Sequence, residues 1–457
     1  MAHHAHRRLR RVLGLAAVLS ALLGPTAAAE PPRRVLVITL DTVRADRLGI
    51  YGYDRPTSPA LDAFAGAATV FLDATCSMPT TLPSHWTLFT GLTPAQHGVT
   101  HNGMLPPRDA PSLFELLEVP SAAIVAADVL ASRFLVGLGI GEVLLADRSP
   151  ESHQAPADAV TARARSWLAG RGEEGFVLWL HYFDTHEPYD PVPRLAERFT
   201  GAYDGPLGNA LSVEWLAGLN REEDGPRLSS RDRRHVSDLY DAEVAFLDEQ
   251  LGELFAFLEE RGLWDETTIV IVGDHGQALG ERGFWGHGER LLEPVIRVPF
   301  LVKLPRQARA RKVAAAVETL DLVPTLLELH GVPIPAGLLG RSLVAGLRGE
   351  RLPPVRYRIV ERRTYPSAPD RRGVAVLADR SKLVLYRDTD GERPHLGRTS
   401  GEGGLDGENF YRADAEGMAL FRVAIAAREL VPGPAGDALS PADEATREML
   451  RSLGYLQ

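Results

Sequence analysis

Three short stretches of this 457-residue chain carry side chains whose types suit metal-assisted displacement at an ester. One is Gly273-Asp274-His275-Gly276, at the end of the apolar run Ile269 to Val272. A second is Asp41-Thr42, ending the apolar run Val35 to Leu40, and the third is Thr80-Thr81, which leads into a helical pattern. In open α/β sheets ligands sit outside the carboxyl ends of the strands, so these positions are well placed to meet. Two carboxylates, a hydroxyl and an imidazole make a mixed oxygen and nitrogen set for one divalent cation. Such a cation would lower the pKa of a threonine hydroxyl, which is too weak a nucleophile alone. Thr81 stands where backbone N–H groups at a helix start would favour an anion. His287 lies between Gly286 and Gly288, where little side-chain bulk would block a substrate. The combination suits displacement at sulfur or phosphorus better than at a peptide carbonyl.

Alternating elements must position these residues. Val35 to Leu40, Val70 to Leu72, Ala122 to Ala126, Phe176 to Leu180, Ile269 to Val272 and Val298 to Leu304 read as strands. Between them lie helical patterns: one starting at Ser58 and Pro59, one through Trp86 to Phe89 stopping at Gly91, and one around Ala159 to Leu168 that Asp158 could cap. A long amphipathic helix runs from about Arg234 to Arg261, and another covers Leu320 to Leu329. This alternation predicts an α/β fold, a mostly parallel sheet with helices on both faces. Residues 201–233, rich in Gly, Pro, Asp and Arg, read as an irregular surface insertion. After about Leu347 short strands at Val355 to Glu361, Gly373 to Leu377 and Lys382 to Arg387 predict a small C-terminal antiparallel sheet. Pro432 to Asp437 reads as a linker and the tail from Ser440 as a short helix.

Bulk properties narrow the classes. A formal net charge of -10 argues against nucleic acid, which rewards basic surfaces. The single cysteine, Cys76, excludes an internal disulfide and reads as a small buried residue. Residues 1–29 read as a secretory signal: four arginines from Arg7 to Arg11, an apolar run from Val12 to Leu23, and Ala27-Ala28-Ala29 as the cleavage site. The apolar run is short for a bilayer span, so no stable membrane span is expected after cleavage, and the protein is expected to be secreted or periplasmic. A retained N-terminal anchor is the other reading. His97 and His101 have metal-compatible spacing, but Gly98 falls between them after Pro94, so a second metal is not expected from that pair.

The ordered segments VLVITLDTVRADRLGIYGY, TLPSHWTLFTGLTPAQHGV, HYFDTHEPYDP, YDAEVAFLDEQLGEL, GDHGQALGERGFWGHG and DLVPTLLELHGVPIPAGLLGRSL run from Val35 to Leu343. With them the chain resembles the sulfatase family of the alkaline phosphatase superfamily, in its LDTVRAD branch. The resemblance implies an alkaline-phosphatase-like fold with a catalytic domain at residues 30–347. A small α+β subdomain would follow at 348–431, then a linker and helix at 432–457. It implies Asp41, Asp274 and His275 as metal ligands, with His275 where many sulfatases have Asn. Thr81 falls at the nucleophile position, the first residue of Thr81-Leu82-Pro83-Ser84-His85. His186, in THEP, matches the histidine on the substrate oxyanion or leaving group, and His287 stands where sulfatases often place a Lys on the anion. Thr81 cannot become formylglycine, as the family's Cys or Ser does, and Cys76 lies at the wrong spacing to substitute. Thr42 replaces the second Asp of the first metal motif, which makes Mn²⁺ or Zn²⁺ as plausible as Ca²⁺. The family's Gly-Lys-x-His segment is missing, the region reading AAIVAADVLASRF.

The function this implies is hydrolysis of a sulfate or phosphate ester through a metal-bound Thr81, on a small-molecule, glycan or lipid ester. A phosphodiesterase or phospho-head-group transferase is the alternative within the superfamily, and a catalytically silent binder of anionic glycans the alternative outside catalysis. His85 and His97 read as supports of the nucleophile helix. His181 and His330 read as satisfied core histidines, and Asp46 and Asp184 as metal-site supports or plain caps.

Overall fold

β1 (Arg34–Leu40) is buried at every position, as its run of branched apolar residues requires of a strand covered on both faces. The computed structural model describes residues 33–106, 110–149, 152–220, 228–363, 372–378, 381–388, 391–398, 419 and 423. The signal segment, the linker and the C-terminal helix read from the sequence lie outside these residues. Around β1 assemble β2 (Thr69–Thr75), β3 (Ser121–Val125), β4 (Glu142–Leu145), β5 (Phe176–Tyr182), β6 (Thr268–Gly273), β9 (Arg297–Val298), β10 (Phe300–Lys303) and β11 (Arg311–Glu318). The two-residue strands β7 (Ala278–Leu279) and β8 (Trp285–Gly286) pair with each other apart from this sheet. The sheet order is β11-β2-β10-β6-β1-β5-β3-β4, with β9 beside β2. Among these strands β10 runs antiparallel to β6 and β2, while β1, β3, β4, β5 and β6 are parallel to their neighbours along that side.

Register explains how the site is assembled. Leu40 pairs with Tyr182 on one side and with Gly273 on the other, so β1, β5 and β6 end level. The residues that follow, Asp41 and Asp274, therefore leave the sheet side by side.

Helices α1 (Pro59–Ala65), α2 (Thr81–Thr90), α3 (Ala157–Ala169), α5 (Ser230–Glu260) and α6 (Leu322–Leu329) surround the sheet, and α4 (Pro193–Thr200) packs on α5 through Leu195 and Phe199. The sequence places the long helix four residues late, because Ser229 with Asp232 forms a capping box upstream of the apolar stripe. Two other caps come from elsewhere in the chain. Ser58 spends its hydroxyl on the Gly49 N–H, and Asp248 on α5 accepts the Ala60 and Leu61 N–H groups at 2.7 and 2.9 Å. Asp158 accepts the Ala159 N–H at 2.9 Å in the first turn of α3, and Asp184 from outside the helix accepts the Ala157 N–H. The strand expected at Val298 to Leu304 is split at Pro299, which has no N–H, while its carbonyl accepts from Gly273.

β12 (Arg358–Arg363), β13 (Arg372–Ala378), β14 (Ser381–Asp388) and β15 (Gly391–Arg398) form a separate antiparallel sheet in that order, one strand more than the sequence suggests. It is tied to the main sheet by a paired Arg358–Asp73 contact at 2.8 and 3.0 Å and by the Glu361 N–H on the Ser77 carbonyl. Tyr386 of β14 accepts the Leu291 N–H at 2.8 Å, which anchors the loop beyond His287. The insertion at 201–233 holds a helical turn, Val213–Gly218, among its described residues.

Candidate active site

Asp41, Asp274 and His275 meet at the level strand ends, each fully buried, with one donor atom from each within 4.8 Å of the others. Thr81, the first residue of α2, brings its hydroxyl oxygen 3.4 Å from His275 Nε2. His275 Nδ1 donates to the Gly276 carbonyl at 3.1 Å, so its remaining lone pair on Nε2 points into the group. Burial, then the neighbouring His287, holds this imidazole well below its ordinary pKa. It is thus neutral and ready to ligate at pH 7.

The two carboxylates are unequal. Burial opposes charge on both; the His181 N–H, 3.2 Å from Asp41 Oδ2, holds Asp41 below the usual carboxylate range. Asp274, buried and facing Asp41, is pushed well above it. Asp41 Oδ1 and Asp274 Oδ2 are buried acceptors that no hydrogen bond satisfies. A buried acceptor pair of this kind is costly unless a cation fills the gap, and the donor set suits Zn²⁺ or Mn²⁺. Residues at these positions therefore fit a divalent ion.

The surrounding frame fixes them. Thr42 takes a left-handed backbone (φ 54°), its N–H donating to Asp274 Oδ1 at 3.3 Å and its carbonyl accepting from Tyr240 of α5 at 2.8 Å. The Thr185 hydroxyl donates to the Asp41 carbonyl. His85 donates from Nδ1 to the Thr81 carbonyl at 2.7 Å, and its Nε2 meets the Thr39 hydroxyl, which also accepts from Trp179. His97 bonds Thr87 further along α2, so both histidines support that helix.

A second donor group lies beside the first. His186 and Glu187, in the loop after β5, meet His287 with one donor atom each within 4.8 Å. His287 and His275 have ring centroids 4.4 Å apart, so the two groups adjoin. Gly286 and Gly288 both have positive φ, 95° and 78°, which is the reason glycines flank His287. Glu187 is held by Gln277, whose side-chain N–H donates at 2.7 Å. A cavity of about 90 Å³ opens against His287, lined also by Glu187, Tyr189, Asn220, Gln277 and Trp285. The larger cavity, about 800 Å³ beside β11, is lined by none of the donor residues.

Two expectations change. The start of α2 offers an anion fewer N–H groups than its position suggests: Leu82 donates to Asn102 at 2.8 Å, Pro83 has none, and Ser84 bonds the Thr80 carbonyl. His181 is the buried, satisfied histidine read from the sequence, and the partner of its Nε2–H is the Asp41 carboxylate. His330 is half-buried at the end of α6, with Nε2 unbonded, and is no satisfied core histidine. Asp46 is exposed and pairs with Arg44, whereas Asp184 caps α3. Glu187, Thr185 and Gln277 were not singled out by the sequence; the only signal for Glu187 is its adjacency to His186.

The sulfatase family model matches residues 33–120 and 131–332, and that of the N-sulphoglucosamine sulphohydrolase C-terminal region matches residues 280–392. A multifunctional alkaline phosphatase superfamily protein of Trinickia caryophylli is 29% identical over 207 residues, 40% of this chain and 40% of that protein. The matches span 26% to 40% of the length of six such curated relatives. The fold is shared with a phosphonate monoester hydrolase from Silicibacter pomeroyi (TM-score 0.68, 21% identity, 87% of this chain and 94% of that one). It is also shared with a protein solved with its substrate D-glucosamine-2-N,6-O-disulfate (TM-score 0.73, 17% identity, 90% and 100%).

Proposed function

The chain belongs to the sulfatase family, and from that premise we propose an exported, metal-dependent hydrolase of sulfate or phosphate esters with Thr81 as nucleophile. The observation that carries this reading is the Thr81 hydroxyl, 3.4 Å from His275 Nε2 and beside two buried carboxylates with unsatisfied oxygens. Asp41, Asp274, His275 and Thr81 would hold one divalent ion, which supplies charge stabilisation and a lowered hydroxyl pKa. Thr81 then attacks the sulfur or phosphorus: the Oγ bond forms, the bond to the leaving alcohol breaks, and that oxygen takes a proton. Water cleaves the threonine ester, returning the hydroxyl and releasing the acid. His186 and His287, in the adjoining donor group, assist the departing oxygen. Tyr240 and Thr185 hold the loop after β1, so Asp41 needs no rearrangement to ligate.

A phosphodiesterase or head-group transferase is the second reading, favoured by a nucleophile that cannot become formylglycine. In a transferase an alcohol, instead of water, would take the group from Thr81. The substrate would be a small-molecule, glycan or lipid ester. Among the described residues no helix is long and apolar enough to cross a membrane, and residues 1–29 support export. A catalytic domain at 30–347 with a small domain after it is supported by the separate second sheet.

Initial rates on an aryl sulfate, an aryl phosphate monoester and an aryl phosphodiester, each with Mn²⁺, Zn²⁺ or Ca²⁺, test this. Turnover of any of them, abolished in Thr81→Ala, is expected. Undiminished turnover in Thr81→Ala would exclude Thr81 as nucleophile.

A further inference from the structure

Arg311 and Lys312 on β11 and Arg351 beyond the short helix Val344–Arg348 make no ion pair among the described residues. All three line the cavity of about 800 Å³ at the edge of the main sheet. A lysine or arginine on an edge strand blocks pairing with another chain, which would account for β11 alone. It does not account for Arg351, which reaches the same cavity from a separate element.

The walls of this cavity are fixed. Gly349 takes φ 86° in the turn before Arg351, and a Cβ there would lie 3.4 Å from Arg311 Nε, so the Arg311 side chain lies against that turn. Across the cavity β12 is held by Arg358 on the Asp73 carboxylate at 2.8 and 3.0 Å, and by the Ile359 N–H on the Glu318 carboxylate at 3.3 Å. Arg311, Lys312, Arg351 and Arg358 face Asp73 and Glu350, which leaves a formal +2 in a chain of net charge -10. Val313, Leu352 and Val355 add apolar surface to the lining. A ligand that fits both features carries several negative charges on a frame with C–H faces. An acidic peptide adding as a strand fits less well. The register of β11 shifts between Val313 and Ala316, and Arg341 occupies the Ala316 carbonyl at 2.7 Å, so the edge offers no continuous ladder.

We propose that this cavity docks a segment of an anionic glycan chain, with Arg311, Lys312 and Arg351 on its sulfate or carboxylate groups. A glycan, rather than another polyanion, follows from the reading of the catalytic site as one for anionic esters. None of the donor residues of that site lines the cavity, so docking here is separate from the chemistry.

Calorimetric titration of a heparin hexasaccharide into the full chain tests it, in a Thr81→Ala background where Thr81 cannot attack the probe. Binding is expected that weakens as salt is raised, and that falls at least about tenfold in Arg311→Gln/Lys312→Gln/Arg351→Gln. An unchanged urea midpoint shows that this variant folds. Arg351→Gln alone, at an exposed position, should weaken binding about threefold. His287→Gln should leave it unchanged. No binding by the starting protein, or binding kept in the triple variant and lost in His287→Gln, would overturn the docking site. Tighter binding of hexaglutamate than of the hexasaccharide would overturn the glycan. Absence of aryl ester turnover in the parent protein would sink the catalytic reading and leave the measured docking in place.

Discussion

The two donor groups adjoin, yet they are built in different ways. Asp41, Asp274 and His275 follow directly from buried strands whose parallel register sets them level. His186, Glu187 and His287 sit in loops, held by backbone carbonyls, the Gln277 amide and flanking glycines. A strand end is fixed by the whole sheet, whereas a loop is fixed by a few hydrogen bonds. The strand-held group should therefore be all-or-none, and the loop-held group adjustable.

The largest effects should fall on the strand-held side. Thr81→Ala and Asp274→Asn are each expected to lower kcat/KM by at least about 10³-fold, measured as initial rates at saturating metal. A drop of only about tenfold in Asp274→Asn would erase the contrast. On the loop-held side, His287→Gln and Glu187→Gln should cost roughly 10²-fold, unchanged by raising the metal concentration. Equal losses on both sides would show that the groups act as one unit.

His181 sharpens the comparison, because it touches only the strand-held group. Replacing it by Gln should weaken zinc binding at Asp41, Asp274 and His275 by roughly 10–100-fold, as read by Zn²⁺ titration. A merely structural role would lower the urea midpoint and leave the zinc affinity unchanged. His85, behind the same group, is kept by burial at a pKa of about 3. Below about pH 6.5 the unfolded chain takes up a proton that the folded chain refuses, so stability falls as the pH drops toward 3. The expected slope from this residue is about 1.4 kcal/mol per pH unit, and urea midpoints for the parent and His85→Asn would reveal it. The smallest effect belongs to Asp184→Asn, a cap on α3 that accepts the Ala157 N–H: about 1 kcal/mol of stability and unchanged zinc affinity.

The same contrast explains what could be read from the sequence. Buried parallel strands announce themselves as unbroken apolar runs, and the residue after such a run is where a ligand site forms; Asp41 and Asp274 stand out for that reason. Long-range partnerships leave no such trace. That Asp248 caps α1, that Asp184 caps α3, and that Leu82 gives its N–H to Asn102 all depend on tertiary packing. His181 looks like any histidine in an apolar strand, and only its register beside Thr39 brings it to the Asp41 carboxylate. Glu187 was silent because nothing in HEPY marks a glutamate turned toward a histidine about a hundred residues away. The strands β4 and β11 went unread because they lie at the two edges of the sheet, where their residues are mostly half-buried and no fully buried apolar run forms.

The account turns on a covalent bond to Thr81. Protein mixed with whichever aryl ester it turns over, quenched in acid and digested, would be read for a sulfo or phospho group on the peptide that holds Thr81. The account predicts that modification on Thr81 in the parent protein and its absence in Thr81→Ala. Steady turnover with an unmodified Thr81 peptide at every quench time, and persistent activity in Thr81→Ala, would contradict it.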